Sequence, residues 1–136
     1  MSLLRCPLCA APLERLERTY ACPGGHSFDI SREGYVHLLP PNQMHSRLPG
    51  DDKAMAAARS RFRSGGYYAH LLETLCALVL EHTGMAPAVL DSGCGEGYYT
   101  AGVYAALAAA GRTPRMAGVD ISKCCLRWAA RREKGV

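Results

Sequence analysis

The chain has 136 residues, a formal net charge of +4 and seven cysteines. This length fits one ordinary domain, or one small module followed by part of a larger fold, and it excludes a complete nucleotide-binding α/β domain joined to a second domain. No apolar run approaches the roughly 18 residues of a membrane span, and the N-terminus lacks the apolar stretch of a signal peptide. We therefore expect a cytoplasmic protein that does not act at a membrane.

The first quarter of the chain carries a metal-ligand spacing. In "CPLCAAPLERLERTYACPGGHSFD", a Cys-x2-Cys pair is followed after twelve residues by a Cys-x3-His pair. Such a spacer is long enough for a β-hairpin that returns the second pair to the first, which gives a Cys3His set suited to zinc. A local metal site explains this clustering of cysteines better than disulfide pairing does. The predicted ligands of one zinc ion are Cys6, Cys9, Cys22 and His26.

Residues 1–40 are predicted to form this zinc finger, a small β-rich domain. The site is expected to be structural, because four protein ligands leave no open position for water, and so short a segment needs the metal for its folding energy. Two interpretations remain: the finger only supports the fold, or it also contacts nucleic acid. The second interpretation rests on four arginines of the finger, namely Arg5, Arg15, Arg18 and Arg32.

Residues 41–84 are predicted to be a connector with two helices that lead into the catalytic domain. In "DDKAMAAARSRFRSGGYY", helix-forming residues follow an acidic start and stop at Gly65 and Gly66. A second helix is predicted from about Tyr67 to His82. Its apolar face is expected to consist of Leu71, Leu72, Leu75, Leu78 and Val79.

Residues 85–136 alternate between strand and helix patterns. The segments "APAVLD" and "RMAGVD" are predicted strands, and each is followed by a helical pattern. This βαβα order predicts parallel strands and the first part of an α/β Rossmann-like fold. Because "APAVLD" is almost entirely apolar, we expect this strand to be covered on both faces in a complete sheet, and a sheet of only two strands to leave part of that surface exposed.

A glycine-rich loop follows the first of these strands. In "DSGCGEG" the glycines lie at the carboxyl end of a strand and at the start of a helix, where open α/β sheets bind ligands. The spacing differs from the dinucleotide fingerprint, and Asp91 would repel a pyrophosphate. A cationic ligand such as S-adenosylmethionine is favoured, with Asp120 accepting hydrogen bonds from its ribose. The glycines expected to lie against the ligand are Gly93, Gly95 and Gly97.

Two other interpretations of this loop are weaker. A tight strand-to-helix turn without a ligand would also use glycine. Cys94 lies inside the loop, but the local sequence offers no histidine base, so a nucleophilic role is disfavoured.

The motifs taken together resemble a known family. The finger, the segments "FDISREGYVHLL", "GDDKAM", "AARSRF" and "GGYY", and the loop "VLDSGCGEGYYT", in this order, resemble the bacterial 23S rRNA (guanine-N1)-methyltransferase family. The resemblance implies S-adenosylmethionine as methyl donor and a guanine in a 23S rRNA hairpin loop as target, with the zinc finger binding the rRNA together with the methyltransferase domain. It implies zinc at the four ligands above. The implied cofactor contacts are Tyr68, Gly93, Gly95, Glu96, Gly97 and the ribose-binding acid Asp120.

Members of that family continue well beyond the last residue of this chain. The resemblance therefore implies that residues 85–136 are a partial S-adenosylmethionine-binding domain whose first strand has an open edge, and we expect a second copy or a complementing polypeptide to cover it. The leading hypothesis is an rRNA methyltransferase that lacks the C-terminal part of its catalytic domain. The alternative is a non-catalytic, zinc-dependent RNA-binding module with a vestigial cofactor pocket.

Overall fold

The computed structural model describes residues 3–47 and 49–136, so Met1, Ser2 and Leu48 of the predicted domains lie outside it. Within this part of the chain, no helix combines the length and the apolar character that crossing a membrane requires. The strands are β1 Glu14–Arg15, β2 Thr19–Ala21, β3 Ser27–Asp29, β4 Ala88–Ser92 and β5 Arg115–Val119. The helices are α1 Lys53–Ser64, α2 Ala69–His82, α3 Tyr98–Ala109 and α4 Lys123–Arg132, with a 3-10 turn at Pro41–Gln43.

The N-terminal unit is a small antiparallel ribbon in the order β1-β2-β3. The predicted hairpin between the two ligand pairs is confirmed, since Arg15 pairs with Tyr20 across β1 and β2. The core of the ribbon contains the fully buried Leu13 together with two of the predicted metal ligands, Cys6 and Cys22. So few buried side chains cannot stabilise a domain of this size alone, which agrees with a need for a metal.

The C-terminal unit has the predicted βαβα order. Strands β4 and β5 are parallel, with Val89 opposite Met116. Helix α3 contributes Val103 and Leu107 to a core that also contains Met116, and α2 packs on the same core. Gly102 permits close packing of α3 on α2, because a Cβ atom at this position would stand 2.6 Å from Leu72. The two parallel strands are confirmed, whereas the larger Rossmann-like sheet stays a prediction.

The structure agrees with one burial expectation and corrects another. The outward side chain of β4, Leu90, is 64% exposed, so one face of this strand is open, as expected for a sheet of two strands. Within the described residues β4 pairs only with β5, and no layer covers its second face. In α2, Leu71 and Leu78 are exposed. The α2 residues that pack on the core are Cys76, Val79 and Leu80, so the packed face matches the predicted one only in part.

The connector and α1 join the two units. Helix α1 begins and ends as predicted: the Asp52 carboxylate accepts a hydrogen bond from the Met55 amide at 2.9 Å, and Gly65 forms the C-cap. The Ser122 hydroxyl, at the N-cap of α4, donates to the Asp51 carbonyl, which ties the connector to the β5–α4 turn. The ribbon reaches the same helix through an ion pair of 3.2 Å between Glu33 and Arg131.

Candidate metal centre and glycine loop

The four predicted zinc ligands lie together in the ribbon. The three thiols and the imidazole of Cys6, Cys9, Cys22 and His26 offer ligand atoms that all lie within 4.8 Å of one another. The first pair stands on the turn before β1, and the second pair stands on the turn between β2 and β3. The clustering predicted from the spacing is therefore confirmed.

The distances between these atoms fit a tetrahedral zinc site. Zinc bound at its usual distances separates two sulfur ligands by about 3.8 Å, and a sulfur from a nitrogen by about 3.6 Å. The sulfurs of Cys9 and Cys22 are 3.6 Å apart. The Nδ1 atom of His26 lies 3.4 Å from the Cys22 sulfur and 3.6 Å from the Cys6 sulfur. A thiol-rich donor set of this size matches zinc and leaves no open coordination position.

The environment of the Cys6 side chain favours the thiolate form. Burial raises the pKa of this thiol, but hydrogen bonds from the backbone of Leu8 and Cys9, together with those from the Cys9 and Cys22 thiols, lower the pKa to about 7. Metal ligation requires deprotonated sulfur, so these hydrogen bonds favour the form that binds metal.

The glycine loop joins β4 to α3 and uses its glycines in two ways. Gly93, Gly95 and Gly97 all have positive φ angles, of 82°, 57° and 81°, which other residues adopt only with strain. A Cβ atom at Gly97 would stand 2.9 Å from the Cα atom of Ala129 in α4, so this glycine also permits close packing. A Cβ atom at Gly93 would meet no atom within 4 Å. Gly93 is therefore the member of the set that leaves backbone open to a ligand.

The two predicted acids lie at the carboxyl ends of the parallel strands. Asp120 follows β5, and its carboxylate accepts hydrogen bonds from the amides of Gly95 at 2.9 Å and Ser122 at 2.7 Å. Asp91, in β4, accepts a hydrogen bond of 2.5 Å from the Thr100 hydroxyl. Both carboxylates are partly exposed, and the structure brings Asp120 directly against the loop. Thr100 was not anticipated from the sequence.

The Glu96 side chain points inward from the loop. It is 0% exposed, and its two carboxylate oxygens bind Arg63 of α1 at 2.8 Å and Arg132 of α4 at 2.7 Å. Arg132 also donates to the Glu96 carbonyl at 3.2 Å and to the Ser60 hydroxyl at 3.4 Å. A carboxylate held in this way positions the loop, and because the whole residue is buried, the predicted cofactor contact of Glu96 stays a prediction. We call this arrangement the Glu96 clamp.

Three of the predicted cofactor residues border one of two cavities, and four line neither of them, namely Asp91, Gly93, Gly95 and Glu96. A cleft of about 1100 Å³ between the ribbon and the β5–α4 region is lined by Gly97 and Asp120, among others. A smaller cavity of about 320 Å³ is lined by Tyr68 together with Arg59, Phe62, Arg63 and Tyr99. The smaller cavity adjoins the glycine loop, since Arg63 Nη1 is 3.5 Å from the position of a Cβ atom at Gly95.

Cys94 has no feature of a nucleophile. It is 5% exposed, and burial, with the neighbouring Asp120 and Asp91 carboxylates, raises the pKa of its thiol to about 12. The side chain therefore stays protonated at neutral pH, in agreement with the disfavoured nucleophilic role.

Comparisons with known proteins agree with this geometry. Residues 4–47 match a zinc-ribbon family model described as RlmA, N-terminal. The chain is 43% identical over 102 residues to the 23S rRNA (guanine(748)-N(1))-methyltransferase of Streptomyces fradiae, which covers 74% of this chain and 35% of that protein. A Micromonospora griseorubida protein, provisionally named 23S rRNA (guanine-N(1)-)-methyltransferase, is 36% identical over 148 aligned positions, covering 94% of this chain and 47% of that protein. A Bacillus subtilis (strain 168) protein with a similar provisional name is 33% identical over 131 residues, covering 90% of this chain and 43% of that protein. The chain thus spans less than half the length of these relatives.

The metal centre predicts one zinc per chain and a ribbon that depends on it. Replacing Cys9→Ser should remove zinc and unfold the ribbon, because the few buried side chains there cannot stabilise it alone. Elemental analysis measures the zinc, and amide hydrogen exchange measures the ribbon. Cys124→Ser, in α4, is the matched control and should keep both. A zinc-free protein with a protected ribbon would contradict the assignment.

The Glu96 clamp predicts a large loss of stability in Glu96→Gln. Removing the negative charge leaves the two neighbouring guanidinium groups without a carboxylate to neutralise them, at a cost of about 3 kcal/mol in the free energy of unfolding. Glu73→Gln is the control, because Glu73 is a highly exposed helical residue, and its replacement should change stability by less than about 0.5 kcal/mol. Denaturant unfolding measures both. Equal stability of the two variants would show that the clamp contributes nothing.

Proposed function

Because the chain belongs to the 23S rRNA (guanine-N1)-methyltransferase family, we propose that it carries the rRNA-binding and cofactor-binding parts of an enzyme that transfers a methyl group from S-adenosylmethionine to N1 of a guanine in a 23S rRNA hairpin loop. The zinc ribbon would contact the rRNA, and the glycine loop would hold the cofactor. A cytoplasmic location belongs to the same proposal.

One observation carries the cofactor part of the proposal. At the carboxyl ends of β4 and β5, an open backbone position at Gly93 lies between two partly exposed carboxylates, Asp91 and Asp120. Anionic groups around a bare backbone suit a cationic ligand and disfavour a phosphate. S-adenosylmethionine supplies an electrophilic methyl group on a sulfonium and fits this charge pattern.

The residues of this chain would act by positioning. The Asp120 carboxylate accepts a hydrogen bond from the Gly95 amide, and it has further lone pairs that could accept hydrogen bonds from ribose hydroxyls. Because the loop is fixed by the first bond, these further bonds would orient the ribose. Asp91 would place negative charge near the cationic end of the cofactor. Tyr68, which is 43% exposed, would pack against the cofactor from the side of the smaller cavity. Transfer to N1 also needs a base for the proton on that nitrogen, and none of these residues is assigned to that role.

The second candidate function is a non-catalytic, zinc-dependent RNA-binding module. It is favoured because Glu96 forms ion pairs inside the protein and Gly97 packs against α4, so neither residue has to contact a cofactor to account for its position. A methylation assay on unmodified 23S rRNA separates the two functions, because only the first yields 1-methylguanosine.

The cofactor assignment predicts that Asp120→Ala lowers the affinity for S-adenosylmethionine at least about tenfold, since hydrogen bonds to a charged acceptor contribute roughly 1.5–3 kcal/mol. Isothermal titration calorimetry measures the affinity, and thermal unfolding checks that the variant is folded. Asp29→Ala, in the ribbon, is the control and should bind as the unaltered chain does. Undiminished binding by folded Asp120→Ala would remove Asp120 from the site.

A further inference from the structure

Two stacked aromatic rings are exposed at the corner between α1 and α2. The rings of Phe62 and Tyr67 are 4.7 Å apart between centroids and only 14° from parallel. Tyr67 is 74% exposed and Phe62 is 51% exposed. Tyr68 meets Phe62 edge-on at 5.7 Å. We call Phe62 and Tyr67 the aromatic platform. Exposed rings in contact with each other form an apolar surface that is costly to leave in water, so a binding role is favoured.

The local sequence is built to form this platform. Gly66 has a φ of 81° and turns the chain back after α1. A Cβ atom at Gly65 would stand 2.8 Å from the ring of Tyr67, so a glycine there lets the ring lie over the end of the helix. Both glycines therefore serve the placement of Tyr67 on Phe62.

The surroundings of the platform are positively charged. Helix α1, with the sequence "KAMAAARSRFRS", contains four cationic residues and no acidic one. Arg59 pairs with Asp51 at 2.9 Å, but the Arg59 side chain is 56% exposed and that of Asp51 only 17%, so the cation faces solvent. Arg63 connects this end of α1 to the glycine loop. Its guanidinium pairs with Glu96 and lies 5.4 Å from the centroid of the Tyr99 ring.

We propose that the aromatic platform stacks an unpaired base of the RNA, while the cations of α1 interact with the adjoining phosphates. This inference rests on the proposed function and adds a contact to it: the platform would hold a nucleotide that flanks the one delivered to the glycine loop. Every base presents a π face, and exposed rings beside arginines are the chemistry that binds unpaired nucleotides. A purely apolar protein partner would gain nothing from the cations.

The test uses the zinc-loaded chain and a short single-stranded oligouridine that contains one 2-aminopurine, whose fluorescence is quenched on stacking. The unaltered chain should bind and quench this probe. Tyr67→Ala should weaken binding about fivefold or more, because base stacking on an aromatic ring is worth that much. Tyr67→Phe keeps the ring and should stay within about twofold of the unaltered chain.

A second variant removes the platform without removing the ring. Gly65→Ala places a methyl group where the Tyr67 ring lies, so it should weaken binding and quenching as Tyr67→Ala does. Gly84→Ala is its control, because a Cβ atom there meets nothing within 4 Å. Zinc content and thermal unfolding confirm that each variant is folded. If Tyr67→Ala and Gly65→Ala bind like the unaltered chain, or if the unaltered chain does not bind the probe, the platform is wrong; the proposed function is tested separately by methylation and by the affinity for S-adenosylmethionine.

Discussion

A buried carboxylate between two arginines fixes the arrangement of this molecule. Glu96 has no exposed surface, and a buried charge is tolerated only when it is paired and hydrogen-bonded. Its partners come from α1 and α4, the helices on either side of the glycine loop. Arg63 and Arg132 must therefore stay in place for the loop to keep its shape. The conformation of a loop that begins in the sheet thus depends on a helix of the connector.

The end of α4 links this clamp to the metal-binding ribbon. Two consecutive arginines of α4 have different partners: Arg131 pairs with Glu33 of the ribbon, and Arg132 pairs with Glu96 of the loop. The turn before α4 is tied to the connector through Ser122 and Asp51. A ribbon that contacts RNA would consequently be held at a defined position relative to the loop that we propose binds the cofactor. The aromatic platform lies at the end of α1, on the side of the loop where Arg63 enters.

The sequence predicts those features of this structure whose determinants are local. The ligand spacing identified Cys6, Cys9, Cys22 and His26, because two turns with paired ligands carry their geometry within a few residues. The limits of α1 followed from the capping residue Asp52 and from Gly65. The two parallel strands followed from the alternation of strand and helix patterns. In each case the decisive residues are neighbours along the chain.

Contacts between distant residues were not predictable from one sequence. The partners of Glu96 stand 33 and 36 residues away, and Glu33 and Arg131 are 98 residues apart. Nothing in the local pattern distinguishes an acid that contacts a ligand from one that pairs internally. The exposure of Leu71 and Leu78 was missed for a related reason, because an apolar helix pattern indicates the face that a helix can bury and not the layer that covers it.

The most direct test of this account is the amide hydrogen exchange of the glycine loop in Arg132→Ala, compared with the unaltered chain. The Gly95 and Gly97 amides donate to Asp120 and to the Cys94 carbonyl, whereas the Cys22 amide donates to His26 within the ribbon. If the Glu96 clamp holds the loop, exchange at Gly95 and Gly97 should accelerate by about an order of magnitude or more while exchange at Cys22 is unchanged. Unchanged exchange at Gly95 and Gly97 in the folded variant would contradict the account, because the loop would then keep its shape without the clamp.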